Sequence, residues 1–153
     1  MIKVNVLSEE NSWSKKLNEK EKFFNKVCKF FPEKFKFANK KVYLTLLLSN
    51  NKKIKILNKK FRNKNKHTDI LSFPFKQKTK NQKEIYLGDI IISYNYINKP
   101  KYQGKKEFKK KTIKIFIHGF LHLLGFDHIN FKDYKKMLNH EQKILKSVEK
   151  LLN

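Results

Sequence analysis

The sequence predicts a single α/β or α+β domain of about four strands and four or five helices. Three observations predict it. Short β-rich segments recur at 2–7, 42–48, 70–75 and 85–93. Stretches with a helical three-and-four spacing lie between and after them. The chain has 153 residues, 39% of them hydrophobic, enough for one core, and no repeat or linker divides it. Residues 1–153 are therefore expected to form one domain.

IKVNVL (2–7) alternates and reads as a half-buried strand. The spacing 13, 17, 20/21, 24, 27/28 and 31 predicts one helix over 12–31, which Pro32 ends. Cys28 shares its apolar side with Trp13, Leu17, Phe24, Val27 and Phe31 and reads as core. VYLTLLL (42–48) predicts a buried strand. SNN (49–51) then offers a cap for a short helix through Ile54, Leu57 and Phe61. ILSFPF (70–75) reads as a strand, with Pro74 marking an edge or a break. KQKTKNQKE (76–84) reads as a polar, hairpin-like connection to the strand IYLGDIIIS (85–93). YQGKKEFKKK (102–111) is a basic lead into a helix over roughly 107–124. Asn130 can cap a last helix with the period 134, 137/138, 141, 144/145, 148 and 151/152, in which Glu141 is the one polar exception.

Lys and Arg number 37 against 13 Asp and Glu, a net charge of +24. A surplus of that size attracts polyanions, RNA or DNA first. The excess is almost all lysine, in a chain also rich in Asn, Ile and Phe, which is what AT-rich coding produces. The charge thus supports nucleic-acid binding without establishing it. One cysteine excludes an intramolecular disulfide and fits a reducing compartment. MIKVNVLSEENS lacks the apolar core of a signal peptide, and no apolar run approaches the ~20 residues of a membrane span. A cytoplasmic protein is expected.

The chemistry concentrates in HGFLHLLGFDH (118–128), which holds three of the five histidines. His118 and His122, four apart, share one helix face and can hold one metal ion. His128 lies too far along to share that face unless the helix ends, and Gly125 can end it in a left-handed turn. Three imidazoles with no fourth Cys or His nearby match a catalytic zinc site, open at one position, at the C-terminal end of a helix. The spacing also matches the zinc-protease pattern HExxHxxGxxH, except that Gly119 replaces the glutamate serving as general base. That departure argues against peptide hydrolysis. A small Gly119 is also expected to open space beside the metal. A phosphodiester fits better, because a metal can stabilise phosphate charge as well as activate water. Arg62 is the only arginine in the chain. Its planar fork suits phosphate in a way lysine does not, and Lys64 and Lys66 beside it could extend a basic groove.

HGFLHLLGFDH resembles the HGxLHLxGYDH signature of the YbeY family, bacterial metal-dependent endoribonucleases of ribosomal RNA maturation. FRNKNKHTDILSFPF (61–75) and LGDIIIS (87–93) resemble two further segments of that family, in the same order. The resemblance implies a small mixed four-stranded sheet packed with four to six helices, and one zinc or other transition-metal ion on His118, His122 and His128. It implies Arg62 as the catalytic and substrate-binding arginine of the cleft, with Lys64 a second substrate contact. The implied activity is single-strand endoribonuclease action in small-subunit rRNA 3′-end maturation and ribosome quality control. The partners implied are rRNA, the small subunit and its assembly proteins, with neither DNA nor membrane. Attack by hydroxide or by the RNA 2′-hydroxyl would both suit the site. His67 stands where a proline is usual and reads as a loop residue in preference to a proton-transfer group near the cleft; Phe126 replaces a tyrosine. Asp127 reads equally as an orienting partner of a metal ligand or as a turn residue. Asp69 and Asp89 read as facing the cleft or a protein partner, or equally as caps and lysine pairs; Thr68 and Ser72 read as phosphate contacts or as plain turn and strand residues, and His140 as structural or exposed. Two rivals remain: an RNA-binding assembly factor with a structural metal, and a metalloprotease.

Overall fold

The computed structural model describes residues 1–76 and 83–152. Alternating apolar residues build one four-stranded mixed sheet from β1 (Ile2–Ser8), β2 (Lys41–Ser49), β3 (Ile70–Pro74) and β4 (Glu84–Ser93). Its order is β1-β2-β4-β3. The first three strands in that order run parallel and β3 runs antiparallel, so Pro74 lies on an edge strand as expected. Residues 77–82 of the expected polar connection lie outside the described residues.

Alternation sends Val4, Leu44, Leu46, Ile90 and Ile92 to one face of the sheet, where all are fully buried. Among the described residues, five helices surround the sheet: α1 (Lys20–Lys29), α2 (Asn51–Arg62), the single turn α3 (Tyr94–Ile97), α4 (Lys105–Leu123) and α5 (Phe131–Val148). α1 and α4 meet on the main core through Phe24 and Phe116, with ring centroids 5.1 Å apart, and through Phe31 and Phe120, 5.0 Å apart. α5 closes that core with Met137, Ile144 and Val148. α2 covers the opposite face, where Ile54 packs with Leu71 and Ile91. Each such side chain contributes about 1.5–3 kcal/mol by leaving water. Cys28 is buried, as expected, and burial pushes its thiol pKa far up.

The helix ends follow their caps. The Asn50 side chain accepts from the Lys53 N–H at 2.9 Å, and that of Asn130 from the Asp133 N–H at 2.9 Å. Along the free edge of β1, the Asn25 amide accepts the Val4 N–H at 2.9 Å and donates to the Val4 carbonyl at 3.0 Å, closing the edge to another strand.

One expected element differs. Residues 12–31 do not form a single helix: a 3₁₀ turn spans Asn11–Lys15, and α1 begins only at Lys20, after Glu19 in the left-handed region at φ 44°. The period lapses at positions 20 and 21, which are lysine and glutamate. Asn11, Ser12, Ser14 and Asn18 favour turns over helix interior. The Trp13 indole N–H donates to the Ser49 carbonyl at 3.0 Å and fixes the first turn against the end of β2. Among the described residues, no helix is long and apolar enough to cross a membrane.

Candidate metal centre

The centre is built by the way α4 ends. Gly125 sits at φ +96°, where a side chain would be strained. Its N–H donates to the His122 carbonyl at 3.0 Å, and the Phe126 N–H to the Leu121 carbonyl at 3.1 Å, the paired bonds of a Schellman turn. That turn folds residues 126–128 back over the last helical turn, as the glycine predicts. It also carries the Phe126 carbonyl onto His122, whose Nδ1 it meets at 2.9 Å.

His118, His122 and His128 come together, each offering one nitrogen within 4.8 Å of the others. The His118 and His122 Nε2 atoms are 3.0 Å apart. Ring centroids of His128 lie 5.6 Å from His118 and 5.2 Å from His122. At His122, Nδ1 donates to the Phe126 carbonyl; at His118, Nδ1 donates to the Glu141 carboxylate. Those partners place each proton on Nδ1 and leave both Nε2 lone pairs directed at each other. Two lone pairs at that separation repel unless a cation or proton lies between them, so the donor set fits a metal ion. Burial holds the His122 pKa below the usual histidine range, reinforced by the neighbouring His118, which keeps the ring neutral as ligation requires.

Glu141 escapes the sequence reading as a functional residue. It is the polar exception in the apolar period of α5, and the structure gives the reason: it reaches His118 across the α4–α5 contact. A carboxylate within the expected apolar period, with no lysine three or four residues to either side, was the available signal. Asp127 takes the turn role; its carboxylate accepts the His128 backbone N–H at 2.7 Å.

Gly119 does not open space beside the centre. A Cβ there would lie 2.6 Å from Ile70 Cδ1, 3.1 Å from Ser72 Oγ and 3.2 Å from Ile90 Cγ2. The missing side chain lets α4 press onto β3 and β4, because position 119 faces the sheet while 118 and 122 face away from it. This close approach also locates Arg62. Its Nη2 donates to the Ser72 carbonyl at 3.2 Å, while the Ser72 hydroxyl donates to the Gly119 carbonyl at 3.5 Å. One residue of β3 thus ties the exposed Arg62 to the helical turn that carries His118 and His122. The guanidinium also stands 5.8 Å over the Phe73 ring.

The remaining residues take local roles. The Lys64 N–H closes the end of α2 on the Asn58 carbonyl at 3.2 Å, and its side chain is exposed. Lys66 is exposed, and its carbonyl accepts from the Asn58 amide at 2.9 Å. His67 packs edge-on to Tyr96 at 6.2 Å in its loop. Asp69 accepts the Ile70 N–H at 2.8 Å and the Thr68 hydroxyl at 3.1 Å. Asp89 accepts from the Tyr86 hydroxyl. His140 is buried between Phe35 and Phe126, with centroids at 5.4 and 4.7 Å, a structural position.

A family model described as endoribonuclease YbeY matches residues 5–149. A protein of Pelagibacter ubique strain HTCC1062, named endoribonuclease YbeY, is 60% identical over 149 residues, covering 97% of both chains. A Fusobacterium nucleatum protein of the same name is 34% identical over 132 residues, covering 85% of this chain and 80% of its own. The solution structure of TM1509 from Thermotoga maritima superposes with a TM-score of 0.54 at 26% identity, covering 95% of this chain and 88% of that one.

Proposed function

The chain belongs to the YbeY family of endoribonucleases, and on that premise we propose that it is a metal-dependent endoribonuclease specific for single strands. Its proposed task is maturation of the small-subunit rRNA 3′ end and ribosome quality control, in the cytoplasm, with the small subunit and its assembly proteins as partners. One observation carries the reading: three imidazoles converge, each with a nitrogen within 4.8 Å of the others, and the chain's only arginine is tethered to the same helical turn.

Zinc is the proposed ion, the usual choice of an all-imidazole site, held by His118, His122 and His128. Such an ion activates water or withdraws charge from a phosphate oxygen. The chain's own groups do the rest. Glu141 and the Phe126 carbonyl hold two imidazoles in the Nδ1–H form, so that Nε2 is free to ligate. Arg62 donates to the non-bridging phosphate oxygens as charge accumulates on them. It sits on an exposed helix end with Lys64 two residues on, where a backbone phosphate can approach. Peptide hydrolysis is disfavoured, because position 119 is directed into the sheet and supplies no base.

Wild type, His118→Ala and Arg62→Ala are compared for bound metal and for cleavage of a single-stranded RNA. His118→Ala is expected to lose both. Arg62→Ala is expected to keep its metal and lose cleavage by roughly 10²-fold or more, the usual effect of removing one transition-state donor. Full activity in Arg62→Ala removes that residue from the mechanism. Wild type cutting no faster than His118→Ala leaves an RNA-binding assembly factor with a structural metal.

A further inference from the structure

Resting on the nuclease reading, we propose that the exposed aromatic face at the start of α5 is a stacking platform for unpaired nucleotides of the RNA. The residues that follow His128 are apolar where solvent calls for polar ones: Ile129 is 84% exposed, Phe131 71% and Tyr134 50%. They are not the core stripe of α5, a role filled by Met137, Ile144 and Val148.

Their placement ties them to the metal centre. Positions 131, 134, 138 and 141 recur at intervals of three, four and three, so they share one face of α5. Glu141 on that stripe meets His118. Tyr134 lies seven residues, roughly 10 Å of helix, from Glu141. The stripe therefore starts three residues after His128 and ends on the partner of His118. A strand held at the centre runs onto it.

Charge selects the occupant. Lys132, Lys135 and Lys136 lie within the same two turns of α5 and are exposed, with Asp133 the one acid in the first turn. Lys135 Nζ stands over one face of the Phe131 ring, 4.8 Å from its centroid, where it can meet the phosphate beside a base on that ring. Rings for bases with ammonium groups for the phosphates between them is the composition of a single-strand surface. Stacking on a ring needs a base whose face is free, which duplex RNA does not offer. The platform thus supplies a physical source of single-strand preference, without reading sequence.

The test is fluorescence anisotropy with a fluorescein-labelled, 2′-O-methyl RNA 12-mer, unpaired and in duplex, over a range of salt. Phe131→Ala and Tyr134→Ala are each expected to weaken binding of the unpaired strand about tenfold, the loss of one base stack. Duplex binding and the salt slope should be unchanged. Lys135→Ala should instead lower the single-strand salt slope by roughly 0.7, one phosphate contact. Phe131→Trp should keep its affinity and lose emission on binding, since the only native tryptophan, Trp13, is fully buried; this decides the matter should an alanine variant fail to fold. Unchanged affinities in a protein that still cuts single strands overturn the platform and leave the nuclease intact. Equal weakening toward duplex also overturns it, as does binding to anionic vesicles that Phe131→Ala abolishes. A wild type that neither binds nor cuts single strands overturns the nuclease reading itself.

Discussion

The His118–Glu141 pair shows how much of the centre rests on one residue outside the motif. The carboxylate fixes both the rotation of the imidazole and the nitrogen that carries its proton. Glu141→Ala is predicted to weaken metal binding by 10–100-fold, the range typical of such partners. Glu141→Gln, which can still accept from Nδ1, should fall between it and wild type. Competition with a chromophoric chelator measures both, and circular dichroism should show an unaltered fold. Wild-type affinity in Glu141→Ala would mean that the Phe126 carbonyl and the backbone alone orient the ligands. The three histidines were legible in the sequence because ligand spacing and a turn glycine are local. Glu141 was not, because its role depends on a contact between residues 23 apart across two helices. Its only trace was a broken apolar period. Asp127, adjacent to a ligand in sequence, reads equally as an orienting partner or a turn residue, and its carboxylate accepts the His128 backbone N–H. A short side chain reaches its own neighbour's N–H first.

Among the elements, β3 links the two halves of the site, and the glycines beside it set its distance. Gly88 lies on β4 at φ +135°, and a Cβ there would stand 2.2 Å from the Phe73 carbonyl and 3.0 Å from Phe75 N. Backbone cannot yield as a side chain does. Gly88→Ala is therefore predicted to destabilise by roughly 2–4 kcal/mol, combining left-handed strain with a steric clash. It should also reduce cleavage more than metal content, because displaced β3 residues carry Ser72 and the Arg62 tether. A denaturant melt paired with metal analysis checks it; an unchanged midpoint refutes it. Strand and helix existence were legible from period, and the Asn50 and Asn130 caps from residue type. The Gly119 misreading has a different origin. Its size was visible, but whether the vacancy faced the metal or the sheet depended on the rotation of α4, which sequence does not state. The overlong first helix arose from extending a period across Lys20 and Glu21, where burial needs no helix.

Over the whole molecule, core and centre are separate. The buried cluster runs through Trp13, Phe24, Phe108, Phe116 and Ile144 between sheet and helices, with all five fully buried. The histidines lie at the end of α4, two half-buried and His128 exposed. A metal there would clamp the α4–α5 turn at the rim of the main core, outside the sheet–helix interior. Stripping it with a chelator is thus predicted to abolish RNA cleavage while far-UV circular dichroism at 25 °C stays native. The thermal midpoint should fall by only several degrees, the bound ion's contribution by linkage. A structural metal predicts the opposite pairing, with unfolding on removal. The same separation bears on charge. A net charge of +24 gives even the metal-free fold strong attraction for RNA. Stripped protein should accordingly bind single strands with nearly wild-type affinity at low salt, and lose that affinity steeply as salt rises. Chelated protein that keeps its fold and its salt-dependent binding but cuts nothing identifies the metal with chemistry alone. Chelated protein that unfolds refutes the separation of core and centre.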